Sequence, residues 1–470
     1  MASFLFLHES PFEFLGVLSL CGYLEQKGHE VEVLISAEEG KNFWDKVKDF
    51  SPDWVGFSSI ATLHQECYDL AREVKDKLGL RTVFGGPYVS YNPKCIEMEE
   101  VDVIICGEGE EALVDLLDAH DRGKDYSNIP NLWTKRNGTV ISNPVRQFET
   151  NLDKYPIPDR KYYYKYPYLR NAHLKHFITG RDCPYNCYFC FNQKFRELYN
   201  LGGYALRRHS PGYVLEELQR CKGSYPLKMI AFDDDVFPIN KDWLADFLPK
   251  FKKEINLPYS CNIHPSMVNE DIARLLGKSG CHHVMMGLES GNPRVRKDIL
   301  GKKFSNERFL KAADLLHQNG VKIMTYNMLG SPTETLEEAL ETMELNSRAK
   351  IEYPWWSLYQ PQPGTRTADI AFEMGCINDD YSMDTLDGSI FHYSVLKQPE
   401  IKEIERAHKL FYLGARNRKL IPLIRKIVRY NLGPIYTIVF LVTYFIRHWK
   451  ESGASFSKMV LMGLKQLKRY

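Results

Sequence analysis

Short apolar stretches alternate with amphipathic segments along the first 145 residues. Apolar runs at 4–7, 31–35, 54–60, 81–84 and 101–106 are typical of buried strands, and the segment 15–26 repeats apolar positions at helical spacing. Gly28 marks the end of that helix. The alternation predicts an α/β domain with a doubly wound parallel sheet, in which ligands bind beyond the carboxyl ends of the strands.

A second alternation begins near residue 176. Apolar runs at 176–179, 229–232, 260–264, 283–286, 321–328 and 355–359 are mostly followed by polar or glycine-rich residues. Six such strands predict a partial (β/α)6 barrel with its site at the C-terminal rim. The stretch 151–160 carries two prolines and reads as an extended connector. We therefore predict a Rossmann-like domain over 1–145, a linker over 146–170, a barrel over 171–375 and a C-terminal helical region over 376–470.

Glycines cluster near three strand ends of the first domain. They are Gly16, the pair Gly85 and Gly86, and Gly107 with Gly109. A glycine lets the backbone approach a ligand closely. The alternative is that they only make the tight turns that a doubly wound sheet needs in any case.

Composition and charge indicate where the protein is located and what kind of surface it contacts. The chain is 44% hydrophobic and 26% charged, as expected for a globular protein, and it has eleven cysteines. The N-terminus is too short and too soon acidic for a signal peptide, so we expect a reducing, cytoplasmic location. The net charge of +1 hides a basic end, since residues 416–470 carry twelve Lys and Arg against one acid, Glu451.

The basic end surrounds a short apolar segment. Residues 435–446 are twelve in number and carry no charge, which is shorter than the roughly 20 residues that span a bilayer. With Arg447 and Lys450 beside it, the segment suits an interfacial helix on an anionic membrane surface. The alternative is a helix packed against the barrel. Nucleic acid is not an expected partner, because no recognised binding module accompanies the charge.

Three cysteines in one run give the strongest chemical signal. Cys183, Cys187 and Cys190 have the spacing C-x3-C-x2-C, which can wrap one metal centre on a single loop. Four thiolates are usual for a [4Fe–4S] cluster, so three leave one iron open to a substrate or cofactor. Zinc sites prefer C-x2-C pairs and a fourth ligand, and an odd number of closely spaced cysteines does not make a disulfide framework. The alternative is three unrelated thiols.

An aromatic residue, Phe189, directly precedes Cys190, and the whole run resembles the signature of the radical SAM superfamily. The resemblance implies a [4Fe–4S] cluster held by the three cysteines and S-adenosyl-L-methionine on the open iron. One electron from the cluster would cleave that cofactor to a 5′-deoxyadenosyl radical. The resemblance also implies that Phe189, Asp234, Glu289 and Asn327 contact the cofactor.

Each of these contacts has a structural alternative. The run 233–235 could bind a cation or face solvent, and Glu289 could be a carboxylate at a helix N-terminus. Tyr326 and Gln360 point into the barrel if the strand phase is right, and are then candidates for substrate or radical contact. Ordinary barrel packing explains both equally well.

The first domain resembles the cobalamin-binding domain that precedes many radical SAM cores. The matching positions that would bind the corrin are Gly16, Ser58, Ser59, Gly85, Gly86, Gly107, Glu108 and Gly109. The one D-x-H-x-x-G string, at 118–123, does not directly follow a predicted strand. The resemblance therefore implies cobalamin bound without a protein histidine on cobalt. His8 and His64 are candidates for the lower face, against the alternative of ordinary solvated side chains. A domain that keeps the fold without cobalamin is the other alternative.

Residues 1 to about 370 therefore resemble the cobalamin-dependent radical SAM enzymes. The implied function is methyl transfer from methylcobalamin to an unactivated carbon or phosphorus centre. A non-methylating radical enzyme, such as a ring cyclase, is the first alternative. A non-catalytic iron–sulfur carrier or scaffold is the second, and it would need a fourth cysteine. Expected partners are a small-molecule or lipid-like substrate and a low-potential donor such as flavodoxin or ferredoxin.

Overall fold

Two α/β units and a helical C-terminal region make up the protein. The computed structural model describes residues 1–61, 63–201, 203–382 and 390–452. The first unit is a seven-stranded sheet of β1 Ser3–His8, β2 Glu30–Ile35, β3 Trp54–Ser58, β4 Arg81–Gly85, β5 Val103–Ile105, β6 Leu132–Arg136 and β7 Thr139–Ser142. Its helices are α1 Leu15–Gln26, α2 Ser36–Glu39, α3 Phe43–Phe50, α4 His64–Leu78, α5 Pro87–Tyr91 and α6 Glu110–Asp121.

This first sheet has the strand order β2-β1-β3-β4-β5-β6-β7, and its first five strands are parallel. Successive side chains of β1 enter different cores: Phe4 and Phe6 join one, Leu5 and Leu7 the other. Both faces of the sheet are therefore covered, which is why its strands read as continuous apolar runs in the sequence.

A short connection leads into a six-stranded parallel sheet. The connection contains α7 Lys161–Tyr164 and α8 Pro167–Arg170. The strands that follow are β8 Leu174–Phe177, β9 Gly180–Arg181, β10 Arg207–Arg208, β11 Met229–Phe232, β12 Tyr259–Ile263, β13 Cys281–Glu289, β14 Lys322–Leu329 and β15 Tyr353–Leu358. The order β15-β14-β13-β12-β11-β8 is sequential, as in a partial barrel, while β9 and β10 form a separate antiparallel hairpin.

The second unit also contains α-helices between and after its strands. They are α9 Asn192–Leu198, α10 Pro211–Ser224, α11 Lys241–Glu254, α12 Glu270–Ser279, α13 Asn306–Gln318, α14 Leu336–Arg348 and α15 Arg366–Glu373. Polar side chains cap most of their N-termini: Ser210, Asn240, Asn269, Ser305 and Thr335 each accept a first-turn amide hydrogen bond. Such caps satisfy amides that have no intrahelical partner.

The predicted fold class is confirmed, and two hairpins were missed. The strands β6 and β7 were not predicted, although Asn137 and Gly138 join them and both have a positive φ. An Asn-Gly pair in that conformation is a strong hairpin signal. The hairpin β9–β10 has only two residues in each strand, too few for a periodicity to show.

The C-terminal region consists of α16 Ile401–Arg416, α17 Ile421–Ile427 and α18 Pro434–Ser452. The buried face of α18 includes Tyr436, Phe440, Thr443 and Arg447. Packing therefore accounts for one face of the apolar segment, as the alternative interpretation expected. No described helix is long and apolar enough to cross a membrane. Residues 453–470, which carry the last part of the predicted basic tail, lie outside the described residues.

A buried arginine ties the two α/β units together. Arg160, in the connection, pairs with Glu13 of the first unit at 2.7 Å and with Glu217 on α10 at 2.9 Å. It also donates to the carbonyl of His176 on β8. Burial alone would lower the pKa of Arg160, and the two carboxylates raise it instead. The orientation of the units therefore depends on a charge that water does not screen.

We expect Arg160→Met to destabilise the protein by about 3–5 kcal/mol, because it leaves two carboxylates buried without their partner. Urea unfolding followed by circular dichroism measures the change. Arg274→Met is the matched control, since Arg274 and Asp271 form an ion pair that is more than half exposed and such pairs contribute about 0–1 kcal/mol. Equal losses of stability in the two variants would contradict a role for Arg160 in holding the two units together.

Candidate active site

The cysteine loop follows β8 and the first strand of the hairpin. Cys183 is buried, Cys187 and Cys190 are half-buried, and the Cys190 amide donates to the Cys187 carbonyl in a tight turn. Within the described residues, no three His, Cys, Asp or Glu side chains could hold a single metal ion. A cubane differs from such a site because each cysteine binds a different iron, so its thiols stand farther apart.

The chemistry of the loop fits a cluster. Burial raises the pKa of Cys183 to about 12 and that of Cys190 to about 11, and nearby cysteines add to both. Thiolates at these positions need a cationic centre to compensate them, and iron supplies one.

Two close contacts hold the loop on the barrel. The Tyr188 amide donates to the Leu300 carbonyl, and the Tyr188 ring covers Gly301, whose φ is +65°. A Cβ at Gly301 would lie 2.4 Å from that ring. On the other side, Tyr185 stacks on His264 with centroids 3.6 Å apart. The loop is therefore positioned by packing that leaves no room for a side chain at Gly301.

An ion pair lies beside the loop. Glu289, at the end of β13, is buried and accepts from Lys302 at 2.9 Å. Burial opposes the charge of Lys302, while Glu289 and then Cys187 raise its pKa. A Cβ at Gly287 would lie within 2.3 Å of both charged groups, so the pair requires glycine there. The sequence analysis missed Lys302, because no motif links it to a residue thirteen positions away.

The other three residues predicted to contact the cofactor lie in different surroundings. The carboxylate of Asp234 is buried and bonds Thr179 and Arg208, whereas Phe189 packs against the apolar cluster that contains Tyr359 and Cys376. Asn327 lies between the sheet and α14, on the side away from the lumen, which is the space enclosed by the curved second sheet. Its amide nitrogen donates to the Thr325 hydroxyl, and its amide oxygen accepts from Asn346 of α14. This network gives Asn327 a role in joining sheet and helix.

The two candidate substrate residues differ in burial, since Tyr326 is half-buried and Gln360 is buried. Tyr326 is half-buried in the lumen, where its hydroxyl donates to Met285 Sδ at 3.1 Å and its ring meets Trp355 edge-on. Burial raises the pKa of Tyr326 to about 12. Gln360, just after β15, donates to the Tyr393 carbonyl.

A cavity of about 460 Å³ lies at the carboxyl edge of the first sheet, against the second unit. Seven of the eight predicted corrin positions line it: Gly16, Ser58, Gly85, Gly86, Gly107, Glu108 and Gly109. A Cβ at Gly16 or Gly85 would meet no atom within 4 Å, so a side chain there would occupy open space at the cavity wall. This wall therefore lets a ligand approach the backbone closely.

Ser59, the eighth position, is fully buried behind this wall. Its amide donates to the Gly85 carbonyl and its carbonyl accepts from Tyr88. A Cβ at Gly86, where φ is +93°, would lie 2.7 Å from the Ser59 carbonyl oxygen. Ser59 therefore shapes the glycine loop from behind and does not line the cavity.

The histidine expectations need correction. His8 is buried, 2.9 Å from the Tyr163 hydroxyl, and burial lowers its pKa to about 3. His64 is also buried and stacks on Tyr88. Neither is solvated and neither lines the cavity. His209, which follows the hairpin and bonds Asp153 at 3.0 Å, lines it from the opposite side.

The cysteine loop and the cavity share one boundary. Phe191, next to Cys190, stacks on Tyr91 of α5 with centroids 4.3 Å apart. The Tyr199 hydroxyl accepts from the Glu108 amide at 2.7 Å. The Glu108 side chain in turn pairs with Arg207 of the hairpin at 2.6 Å. These contacts join the segment after the loop to two of the loops that line the cavity.

We expect Gly301→Ala to displace Tyr188 and lower the iron bound per protein after anaerobic reconstitution, because the new Cβ would overlap the ring. Iron and sulfide content and the visible absorption of the cluster measure the loss. Gly320→Ala is the matched control, since Gly320 also has a positive φ but meets no atom within 4 Å. If both variants bind as much iron as the wild type, Gly301 does not position the loop.

Two family models match the chain. Residues 9–117 match the B12 binding domain and residues 177–345 match the Radical SAM superfamily. An uncharacterized methyltransferase of Pyrococcus horikoshii is 29% identical over 76% of this chain and 78% of its own length. An anaerobic magnesium-protoporphyrin IX monomethyl ester cyclase of Rubrivivax gelatinosus is 24% identical over 76% of this chain and 66% of its own length.

A solved structure has the same fold over nearly the whole chain. It is the radical S-adenosylmethionine methyltransferase TsrM from Kitasatospora setae, with a TM-score of 0.71 and 16% identity over 96% of this chain and 99% of its own. The cysteine loop lies in the part of the chain that matches the Radical SAM superfamily, and most of the glycine-lined cavity is formed by the part that matches the B12 binding domain. The chain belongs to the radical SAM superfamily, among the members that carry a B12 binding domain.

Proposed function

We propose that the protein is a cobalamin-dependent radical SAM methyltransferase acting on an unactivated carbon or phosphorus centre. The observation that carries this is the shared boundary: Gly180 and Arg181 line the cavity, and Cys183 follows two residues later. When bound, the cluster supplies an electron to S-adenosylmethionine and the corrinoid carries the methyl group. The two matched domains and the methyltransferases among the relatives support the proposal.

Residues of the chain have distinct tasks in this proposal. Cys183, Cys187 and Cys190 hold the cluster and leave one iron open. Glu289 and Lys302 present a carboxylate and an ammonium beside Cys187, complementary to the amino and carboxylate groups of the methionine part of the cofactor. The glycine loops admit the corrin to the cavity.

The lumen would receive the substrate. Met285, Tyr326, Met328 and Trp355 are half-buried on its wall, which offers an apolar and polarisable surface. His176 of β8 bonds Asp233 at 2.8 Å, and this hydrogen bond raises the pKa of His176. Tyr326 and Gln360 remain candidate substrate contacts within the proposal.

A ring cyclase is the second candidate, because one of the similar proteins is named as a cyclase. Both enzymes would use the same cysteines and cavity, so only product analysis separates them. The iron–sulfur carrier is disfavoured. Cys221, Cys261 and Cys281 are buried in the hydrophobic core, and Cys376 lies in another apolar cluster, so none is available as a fourth ligand without unpacking.

We also propose that α18 rests on an anionic membrane surface and that a low-potential flavodoxin or ferredoxin reduces the cluster. Ile435, Ile438, Leu441 and Val442 of α18 are each more than half exposed. Lys426 and Arg429, just before this helix, are exposed cations. An exposed apolar helix face beside cations suits the boundary between lipid head groups and acyl chains. A lipid-like substrate and a peripheral cytoplasmic location would follow.

The methyltransferase proposal is tested on protein purified anaerobically with cobalamin supplied. We expect a corrinoid absorption spectrum and, with S-adenosylmethionine and reductant, both 5′-deoxyadenosine and S-adenosylhomocysteine. Cys187→Ala should abolish 5′-deoxyadenosine, because the cluster loses a ligand, while Cys221→Ala should retain it. Absence of both corrinoid and S-adenosylhomocysteine would reject the methyltransferase and leave a cobalamin-free radical enzyme.

The membrane proposal is tested by flotation with liposomes that contain anionic lipid, at low and high salt. We expect binding that weakens with salt and is lost in Ile438→Ser/Leu441→Ser, since each serine removes apolar area that would enter the bilayer surface. Val140→Ser, on an exposed strand of the first unit, should bind as the wild type does. Retained flotation of the double variant would contradict a role for α18.

A further inference from the structure

A second cavity lies between the hairpin β9–β10 and the start of α11. Its volume is about 310 Å³, and it shares Gly180 and Arg181 with the corrin cavity. Arg207, Arg208 and Lys241 add three more cations to its lining, whereas Asp182 and Asp234 are the acids among the described residues that line it. The lining is therefore cationic, and the question is which of these charges still lack a partner.

Arg208 is held in place by aromatic rings, and one of its guanidinium nitrogens has no hydrogen-bond partner. Its guanidinium lies 4.5 Å from the Trp243 ring and 5.5 Å from the Phe237 ring, and its side chain is 12% exposed. The Nη1 atom is buried and has no hydrogen-bond partner. Stacking on two aromatic rings fixes the plane of the guanidinium without using its N–H groups.

The nearest acid compensates Arg208 only in part. Asp234 is 3.3 Å from Nη2, but its carboxylate also accepts from the amide and the hydroxyl of Thr179. Burial lowers the pKa of Arg208 in spite of Asp234. The positive charge therefore lies in a desolvated place with a single, long ion pair.

Of the other cations in the lining, Arg181 and Arg207 form ion pairs, and Lys241 forms none within the described residues. Arg207 is committed to Glu108, and Arg181 pairs with Glu108 and Glu110. Lys241 is exposed at the cavity rim and forms no ion pair with any residue of the described ranges. It is also the first residue of α11, a helix of 14 residues whose N-terminal amides add positive potential there.

We propose that this cavity binds an anionic oxygen group, a phosphate or a carboxylate, of a small molecule. Such a group would accept from Arg208 Nη1 and from the Lys241 ammonium, two charge-assisted bonds that the fold leaves open. It would also remove the cost of a buried, unpaired N–H. The site is distinct from the cysteine loop and does not depend on methyl transfer.

Two sources could supply the anion. The wall formed by Gly180 and Arg181 makes the phosphodiester of a corrinoid in the neighbouring cavity one of them. A separate small molecule, such as an anionic substrate, is the other. Both have the same chemistry, so loading the protein with cobalamin distinguishes them.

The experiment is a calorimetric titration of the reconstituted full chain with pyrophosphate and with inorganic phosphate, before and after cobalamin loading. We expect binding that weakens with salt. Lys241→Gln and Arg208→Gln should each weaken it by about tenfold, the effect of one charge-assisted hydrogen bond. Arg220→Gln makes the same change of charge on the exposed face of α10 and should bind as the wild type does.

Lys241→Gln keeps the test decisive if Arg208→Gln fails to fold, because Lys241 is exposed. Phosphate binding that cobalamin loading abolishes assigns the site to the corrinoid phosphodiester. Binding that survives loading assigns it to a separate molecule. The proposal is overturned if the wild type binds neither probe in the cobalamin-free form, or if Lys241→Gln binds both probes with wild-type affinity.

Discussion

The buried contact between Arg160, Glu13 and Glu217 is the constraint on which the arrangement of the site depends. The cavity and the cysteine loop belong to different folding units, so the orientation of those units decides whether the two face each other. An apolar contact would tolerate sliding, whereas a buried guanidinium with two carboxylates has few acceptable geometries. Arg160 and Glu217 also line the cavity, so the same ion pairs that orient the units form part of its wall.

Glycine does the finer positioning at the boundary. A Cβ at Gly107 would lie 2.3 Å from the Tyr199 hydroxyl, and one at Gly301 would overlap Tyr188. Each position lets an aromatic side chain of the cysteine-loop segment reach backbone of another element. Glu289 adds a strained residue, with a φ of +64°, at the end of β13. Backbone strain of this kind persists where the surroundings over-determine it, and here the Lys302 ion pair and the close packing of Gly287 do so.

The hairpin β9–β10 links the two cavities. Its two arginines have different partners. Arg207 pairs with Glu108 of the first unit, while Arg208 lies over the rings of Phe237 and Trp243. Both arginines line the second cavity, whereas Gly180 and Arg181 of β9 line the two cavities at once. The hairpin therefore connects the glycine loops of the first cavity, the cysteine loop and the second cavity through the ion pairs of its arginines.

The sequence by itself determined the alternation of strands and helices, the cysteine spacing and the glycine-ended loops, because these depend on local periodicity and short-range geometry. The barrel strand predicted at 229–232 coincides with the observed one. Five of the seven cavity residues are glycines predicted at strand ends, whereas Ser58 and Glu108 came from the resemblance to the cobalamin-binding domain. Only the tertiary structure decided where Asn327 points, why Ser59 stays behind the wall, and that Lys302 pairs with Glu289. It also decided that His8 and His64 are buried and that His209 faces the cavity. These outcomes depend on which distant side chains the packing brings within hydrogen-bond range, and no local pattern in one sequence contains that information.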